Sequence, residues 1–189
     1  FGMSGVVRVE GADVPKRKHE HIFIHLDNDQ ILKFEDPRRF GMVEVQSLGA
    51  DGWPVGREEI GIEPLSCKFT GQFLLASARK RPGPVKNFLM DNSVVTGIGN
   101  IYVCEILFET GISPIHPANE IDLETHNAIA RTAKAILRKA IKMSGTTISD
   151  YRNVDGSEGK FAQQLKAYGK EGLPCPRCGG RFANLTIGG

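Results

Sequence analysis

The chain has 189 residues, of which 40% are hydrophobic and 24% charged, so it can bury a core and is expected to be globular. It has no apolar run near the ~20 residues of a membrane helix and no charged start followed by an apolar stretch, so we expect a cytoplasmic protein without membrane contact. The net charge of +2 is uneven, since residues 65–145 hold ten Lys or Arg against six Asp or Glu. This basic middle third is compatible with a polyanion partner.

The first third predicts antiparallel β structure. From His19 to Asp27, apolar and polar residues alternate with the period of two that is typical of a half-buried strand. Asp27-Asn28-Asp29 predicts a turn, residues 30–35 predict the partner strand, and residues 40–48 predict the next strand. We therefore expect part of a β-sandwich over residues 1–64, ending in a loop that leads to a domain boundary.

From residue 65 the period changes to that of helices. Short helices are predicted over residues 68–79, 85–90 and 101–109, and a long one over residues 122–143 with a Ser144-Gly145 C-cap. The long helix has an apolar stripe of Ile129, Ala133, Ile136, Leu137, Ala140 and Ile141, and a basic face of Arg131, Lys134, Arg138 and Lys142. The pattern predicts a helical domain over residues 65–145. Residues 146–189 are a polar, glycine-rich remainder with one short helix near residues 161–165.

The run Val94-Val-Thr-Gly-Ile-Gly-Asn100 immediately precedes the third predicted helix. Its two glycines allow a tight turn, and Asn100 is a residue type that commonly caps a helix N-terminus. The free amides of the first helical turn then suit a phosphate group. Any capped helix can carry Gly-Ile-Gly-Asn, but the turn-rich linker and the long basic helix that follow favour a grip on a nucleic-acid backbone.

Four cysteines occur, and two of them have metal-ligand spacing. Cys67 and Cys104 stand alone and are interpreted as small buried apolar residues. Cys175-Pro-Arg-Cys178 has the spacing of the first half of a four-cysteine zinc site, whose second pair would follow about 20 residues later. We expect weak or no zinc binding from two thiolates, unless two chains share the metal.

Eight short motifs follow one another along the chain. They are Phe1-Gly-Met-Ser-Gly5, Lys18-His-Glu-His21, Asp36-Pro-Arg-Arg-Phe-Gly41, Leu89-Met-Asp-Asn92, Gly97-Ile-Gly-Asn-Ile-Tyr102, Gly145-Thr-Thr147, Asp155-Gly156 and Tyr168-Gly-Lys-Glu-Gly-Leu-Pro-Cys-Pro-Arg-Cys178. In order and approximate spacing they resemble those of the formamidopyrimidine-DNA glycosylases, over essentially the whole chain. The resemblance implies an α+β fold with a partial antiparallel β-sandwich, a helix-two-turn-helix DNA-binding domain and a truncated zinc-finger β-hairpin.

The resemblance also implies an activity in base-excision repair. Family members are bifunctional DNA glycosylases and abasic-site lyases, which remove oxidised purines such as 8-oxoguanine and formamidopyrimidines and then nick the strand by elimination. The implied partner is double-stranded DNA with oxidised bases or abasic sites. We expect a monomer, with one structural zinc ion in the full-length protein.

The basic and aromatic stretch at residues 36–41 would otherwise be interpreted as a surface turn. An enzyme that acts on a base inside a duplex must extrude the nucleotide, and it benefits from filling the gap. Phe40 is a flat apolar wedge, Arg38 is a planar donor for the orphaned base, and Met3 is a flexible filler. By resemblance, these three side chains fill the void.

The resemblance assigns further residues to the DNA and to the metal. His19, Lys86 and Asn100 match DNA contacts, and Arg81 substitutes for a basic contact at a position where this chain has a proline. The loop that folds over the extruded base corresponds to residues 150–161, and its candidates are Arg152, Asp155, Gly156 and Lys160. Cys175 and Cys178 are the zinc ligands present.

The family's catalytic amine is missing from this sequence. In the family the nucleophile is the amino group of an N-terminal proline, followed by a glutamate, with a lysine upstream of Gly-Met-Ser-Gly. Phe1 lies downstream of the proline, and the arginine of the zinc hairpin is also missing. We therefore expect a fragment cut at both ends that is inactive by the family mechanism, which borohydride trapping of a covalent DNA adduct would contradict.

Two alternative interpretations remain. An endonuclease VIII-like glycosylase for oxidised pyrimidines is closely related, although the complete motif at residues 36–41 favours the purine branch. A noncatalytic nucleic-acid-binding module belongs to a different class, since helix-two-turn-helix elements also occur in ribosomal RNA-binding proteins. An encoded Met-Pro-Glu start upstream would indicate an enzyme, and any other start would favour a binder.

Overall fold

A computed structural model describes residues 5–50, 52–55, 60–148 and 157–187. The strands are β1 (Val6–Gly11), β2 (Glu20–His25) and β3 (Gln30–Glu35). The α-helices are α1 (Gly71–Ala78), α2 (Val85–Met90), α3 (Asn100–Thr110) and α4 (Leu123–Lys142), and short 3-10 helices cover Ala118–Glu120 and Phe161–Gln164. These elements confirm the predicted α+β class. None of the helices in the described ranges has the length and apolarity that a membrane span needs.

The chain divides into two compact units. The first comprises Phe1–Arg57 and Ala140–Gln163, and the second comprises Glu58–Lys139 and Gln164–Gly189. The predicted third segment, residues 146–189, is therefore divided between the unit that contains the sheet and the unit that contains most of the helices.

The three strands of the first unit form one antiparallel sheet in the order β1-β3-β2. The predicted turn after β2 is closed by a hydrogen bond from the Leu26 amide to the Gln30 carbonyl at 2.9 Å, with Asp29 left-handed at φ 60°. Three-residue hairpin loops commonly end in such a residue. Strand β1 is not among the predicted strands, although its run Val-Val-Arg-Val-Glu has apolar residues at the alternate positions 7 and 9.

The predicted strand over residues 40–48 is wrong. The described residues of this stretch form no strand, and only Leu48 makes an isolated bridge, with Pro54. Met42 and Val45 are exposed, so the apolar pattern here meets no core. A strand needs a hydrogen-bonded neighbour, and no neighbouring strand lies beside this stretch in the described part of the chain.

Charged side chains form a network on the sheet. Arg17 binds Glu10 at 2.6 Å and Glu20 at 2.8 Å, while the buried Lys33 donates to the Val14 carbonyl at 2.8 Å and lies 3.2 Å from Glu10. Hydrogen bonding from Arg17 lowers the pKa of Glu10. Burial raises the pKa of Glu20, but the amide and guanidinium of Arg17 lower it overall. The network thus keeps the buried charges of this sheet paired, as buried charges require.

The helices of the second unit enclose an apolar core. Its fully buried members include Phe69, Leu74, Val85, Leu89, Val95, Val103, Ile106 and Ile129. Helix α1 begins where the Thr70 hydroxyl accepts the Phe73 amide at 3.2 Å, and α4 begins where the Asp122 carboxylate accepts the Thr125 amide at 2.8 Å.

Helix α4 ends at the predicted cap. Ser144 and Gly145 have φ values of 61° and 88°, and the Gly145 amide bonds to the Ala140 carbonyl at 2.9 Å. The predicted apolar stripe is buried at Ile129, Ala133 and Ala140 and half-buried at Ile136 and Leu137, but Ile141 is exposed. At ~100° per residue, Ile141 lies about 120° around the helix from Ile129 and so leaves the stripe.

The prediction that both lone cysteines are buried is half wrong. Cys67 is exposed, in the turn before α1, and Cys104 is half-buried on α3. Burial raises the pKa of the Cys104 thiol. Neither thiol is in a disulfide.

His126 on α4 is a buried polar residue within the apolar core. Its side chain is fully buried, and neither ring nitrogen has a hydrogen-bond partner among the described residues. The ring meets Phe88 edge-on, with 6.4 Å between centroids. Burial lowers the pKa of His126 below 6.5, against a smaller opposing attraction from the Asp122 carboxylate. The folded protein therefore favours the neutral imidazole.

We predict that His126 makes stability pH-dependent. Below about pH 6.5, His126 of the unfolded chain binds a proton that the folded chain does not bind. The contribution of the neutral His126 to the free energy of unfolding is therefore complete above that pH, and it falls as the pH drops toward the lowered pKa of the folded state. Between about pH 7.5 and pH 5.5 the free energy of unfolding should drop by roughly 1 kcal/mol more in the wild type than in His126→Leu. Urea unfolding at both pH values measures this difference.

Phe88→Leu is the matched control, because it disturbs the same packing without removing a titrating group. Its free energy of unfolding should be lower than that of the wild type but should fall equally with pH. Equal pH dependence in the wild type and His126→Leu would contradict the prediction.

Candidate nucleic-acid interface

The turn at residues 36–41 presents an arginine and a phenylalanine to solvent. Phe40 is 63% exposed, so its ring is not part of the core. The guanidinium of Arg38 lies over this ring, 4.7 Å from its centroid. Arg39 between them is left-handed, at φ 58°, a conformation that few non-glycine residues adopt. A planar donor and a flat apolar ring are thus held side by side, a pair suited to stacking against a base.

His19 and Met3 complete the predicted contacts of the first third of the chain. His19 is half-buried, and its carbonyl accepts the amide of Asp36 at 2.9 Å. The structure therefore links His19 directly to the turn that carries Arg38 and Phe40. Met3 lies outside the described residues.

In the second unit, Lys86 and Asn100 line one groove of about 360 Å³ together with Tyr168 and Lys170. Asn100 is not the N-cap that the sequence predicts. Gly99 takes that position with an extended backbone, and Asn100 is the first residue of α3. The Asn100 side chain is exposed and makes no capping bond, and its Oδ1 accepts the Cys104 thiol at 3.9 Å.

Glu105, in the middle of α3, holds the chain segment that completes this groove. Its buried carboxylate accepts the backbone amides of Lys166 at 2.8 Å, Ala167 at 2.9 Å and Tyr168 at 2.8 Å. Hydrogen bonds to a charged group are stronger than neutral ones. These three bonds therefore fix Tyr168 beside Lys86 and Asn100, although the segment has no regular secondary structure there.

Arg177 fixes the same C-terminal segment to the other end of α3. Its guanidinium donates to the carbonyls of Phe108 and Glu109, the latter at 3.1 Å, and lies 5.3 Å from the centroid of the Phe108 ring. A cation at a helix C-terminus is favoured by the helix dipole. The central arginine of the cysteine motif is thus a cap of α3.

Comparison with known proteins matches both parts of the chain. Residues 1–43 match the formamidopyrimidine-DNA glycosylase N-terminal domain, and residues 60–152 match the formamidopyrimidine-DNA glycosylase H2TH domain. The formamidopyrimidine-DNA glycosylase of Stenotrophomonas maltophilia (strain K279a) is 47% identical over 188 residues, covering 100% of this chain and 69% of the relative. The chain belongs to the formamidopyrimidine-DNA glycosylase (Fpg) family.

Solved structures of the Fpg family have the same fold. The MutM (Fpg) protein of Thermus thermophilus is 32% identical with a TM-score of 0.83, over 98% of this chain and 68% of that one. A Lactococcus lactis Fpg in complex with DNA containing an abasic site is 28% identical with a TM-score of 0.82, over the same shares. Base-excision DNA glycosylases are therefore the class of enzyme to which this chain is related.

Arg81, the predicted substitute for a missing Fpg contact, is paired within the protein. It forms an ion pair with Asp91, and its guanidinium lies 6.0 Å from the centroid of the Phe88 ring. The Ser93 hydroxyl, and then the Arg81 guanidinium, lower the pKa of Asp91 to about 2. A DNA contact of Arg81 stays a prediction, and it would compete with this pair.

Most of the predicted lesion loop lies outside the described residues, including Arg152, Asp155 and Gly156. Lys160 is described, with an exposed side chain and an amide that donates to the Met143 carbonyl at 2.9 Å. Near the end of the predicted loop, the Gly159 amide donates to the hydroxyl of Thr147, a residue that precedes the loop, at 2.8 Å. A Cβ atom at Gly159 would lie 2.3 Å from the Gly145 carbonyl, so the close approach of these two backbone segments requires glycine at position 159.

Cys175 and Cys178 lie at the tip of a narrow hairpin. Pro174 bridges to Arg181, and the Cys175 amide donates to the Gly180 carbonyl at 2.6 Å. Backbone amides of Arg177 and Cys178 lower the pKa of Cys175, which favours the thiolate that zinc requires. The described residues contain no group of three or more His, Cys, Asp or Glu that could hold a metal ion, and zinc binding by Cys175 and Cys178 stays a prediction.

Glu105 and Arg177 are site residues that the sequence analysis did not identify. Both act over long sequence separations, of about sixty and about seventy residues, so no local pattern reports them. One signal is readable for Glu105: it stands among the apolar residues Val103, Ile106 and Leu107 on a predicted helix, where a charge is expected only if it has partners.

We predict that Glu105→Gln destabilises the second unit. The neutral amide replaces one acceptor oxygen with a donor that faces backbone amides, so the free energy of unfolding should fall by ~2 kcal/mol. Hydrogen exchange at the amides of Lys166, Ala167 and Tyr168 should also accelerate. Urea unfolding and exchange followed by NMR test the two effects.

Glu109→Gln is the control on the same helix, with the same change in charge. Glu109 forms a surface ion pair with Lys166 at 2.6 Å, so its loss should change the free energy of unfolding by no more than ~0.5–1 kcal/mol. If the two substitutions lowered the free energy of unfolding equally, the three amide hydrogen bonds of Glu105 would contribute no more than a surface ion pair does.

Proposed function

We propose that this chain opens duplex DNA at a damaged nucleotide, as part of a DNA glycosylase that removes oxidised purines and then nicks the strand by elimination. One observation carries the proposal: the exposed Phe40 ring and the Arg38 guanidinium are stacked on one turn, outside the core of their unit. An apolar ring that stays in solvent is suited to a partner that buries it. Family membership supports DNA as that partner.

The proposed mechanism assigns separate tasks to the two side chains. Phe40 enters between base steps and replaces part of the stacking that is lost when a nucleotide leaves the helix. Arg38 follows the ring into the gap and donates hydrogen bonds to the base that has lost its partner. Since the guanidinium already lies over the ring in the free protein, little side-chain ordering remains for the binding step.

The groove of the second unit supplies the phosphate contacts in this proposal. Lys86, Lys170 and Asn100 line a common space, and α3 starts there with backbone amides that its own first turn does not use. Such contacts position a strand without reading its sequence. Binding should therefore weaken as salt concentration rises.

Oxidised purines are the proposed substrate class. The complete Asp-Pro-Arg-Arg-Phe-Gly motif supports the purine branch, and among the related structures are a Lactococcus lactis Fpg mutant with DNA containing Fapy-dG and a MutM with DNA containing carbocyclic 8-oxo-G. For the metal, we propose that Cys175 and Cys178 supply two of the four thiolates of a structural zinc ion in the full-length protein, which would stiffen the hairpin that Arg177 attaches to α3.

We predict that Arg38→Ala weakens binding to a duplex with an abasic site by ~1–3 kcal/mol, the range for a lost bidentate base contact. Binding to single-stranded DNA should not change, because a single strand has no orphaned base to contact. Fluorescence anisotropy with both ligands at one salt concentration measures the two affinities.

Arg39→Ala is the matched control, since it removes the same charge from the neighbouring position and also leaves a non-glycine residue at φ 58°. It should reduce affinity for both ligands by a similar, smaller factor. If Arg38→Ala and Arg39→Ala behave alike on both ligands, Arg38 is a general electrostatic contact and the proposed duplex opening loses its support.

A further inference from the structure

The carboxylate of Asp36 lies buried beneath the turn that presents Arg38 and Phe40. The residue is 1% exposed. Its Oδ1 accepts the Arg38 amide at 3.2 Å, and its Oδ2 accepts the Gly41 amide at 2.6 Å. The two oxygens of one side chain therefore hold both ends of the segment that carries Phe40.

The backbone of Asp36 attaches the same turn to the start of β2. Its amide donates to the His19 carbonyl at 2.9 Å. Its carbonyl accepts the Arg39 amide at 3.3 Å and lies 3.1 Å from Nε2 of His21. Asp36 thus contacts, through its side chain or its backbone, the predicted DNA-contact residues His19 and Arg38.

The turn depends on the hydrogen bonds of Asp36 because no strand or helix that follows it holds it in place within the described residues. The stretch that follows forms no strand, and the Gly41 amide meets no backbone carbonyl within the described ranges. Arg39 holds a left-handed conformation that is unfavourable for a residue with a side chain. Without a charged acceptor below it, the turn would sample other conformations, and ordering it on DNA would weaken binding.

We propose that Asp36 is a positioning residue for duplex opening: its buried carboxylate pre-organises the turn so that Arg38 and Phe40 enter the DNA together. Asp36 itself does not touch the DNA. The inference rests on the proposed function of Arg38 and Phe40. It adds that Asp36 affects DNA affinity only by positioning these two residues.

A mutant cycle on the whole chain tests this dependence. Affinity for a duplex with a tetrahydrofuran abasic-site analogue is measured for the wild type, Asp36→Ala, the pair Arg38→Ala/Phe40→Ala, and the triple variant. Asp36→Ala alone should bind roughly tenfold more weakly. In the background without Arg38 and Phe40, the same substitution should change affinity less than about twofold, since coupled residues are not additive.

Two further variants separate charge from geometry. Asp27→Ala removes a carboxylate from an exposed turn of the same unit, and it should not weaken binding. Asp36→Asn keeps one acceptor oxygen and should bind with intermediate affinity. An equal loss from Asp36→Ala with and without Arg38 and Phe40 would overturn the positioning role.

The same proteins, measured also on an undamaged duplex, separate this inference from the proposed function. If the wild type binds the abasic-site duplex no better than an undamaged duplex, the proposed function fails, and the role of Asp36 fails with it. If the wild type shows the preference and the Arg38→Ala/Phe40→Ala pair removes it, but Asp36→Ala acts additively, only the role of Asp36 is overturned.

A measurement on the wild type keeps the inference testable if Asp36→Ala does not fold. The Gly41 amide lies in an irregular stretch, so its hydrogen exchange should be slow only because Asp36 accepts it. Slow exchange at Gly41, beside fast exchange at Val43 and Val45, is the expected result. Exchange of the Gly41 amide at the rate of an unprotected amide would overturn the proposal.

Discussion

Backbone amides bound to buried carboxylates hold the irregular segments of this protein in place. Asp36 accepts two amides beneath the turn of Arg38 and Phe40, and Glu105 accepts three amides from the segment that ends at Tyr168. A buried carboxylate is costly unless hydrogen bonds replace its hydration, and a buried amide is costly unless it finds an acceptor. Each carboxylate therefore supplies the acceptor that the amides need, and each amide supplies a donor that the carboxylate needs. The two predicted contact regions depend on these hydrogen bonds.

This arrangement gives the predicted contact residues on loops a defined geometry. Binding residues on loops need a rigid support, because ordering them during binding would reduce affinity. Here the support is a side chain of a neighbouring element: Asp36 follows β3 directly, and Glu105 lies in α3. Phe40 and Asn100 are exposed, while the amides of Arg38, Gly41 and Tyr168 are paired with buried carboxylates.

Periodicity and cap residues in the sequence correctly predicted those strands, helices and caps whose structure depends on neighbouring residues. Residues 30–35 and 85–90 form the predicted strand and helix at the predicted bounds, and the α4 cap at Ser144-Gly145 follows from backbone conformation alone. The strand predicted at 40–48 failed because alternation does not show whether a partner strand is present. The roles of Glu105 and Arg177 depend on contacts between distant parts of the chain, which a single sequence does not reveal.

The dipole of helix α3 acts both at the groove, which lies at the N-terminus of the helix, and at the cysteine hairpin, which binds its C-terminus. Its N-terminus carries a partial positive charge and lies at the groove with Lys86, whereas its C-terminus carries a partial negative charge and binds Arg177. Glu105 holds the intervening segment at the middle of the helix. Because Glu105 holds the segment that ends at Tyr168 and the C-terminal carbonyls of α3 bind Arg177, the groove and the cysteine hairpin share one helix as their support.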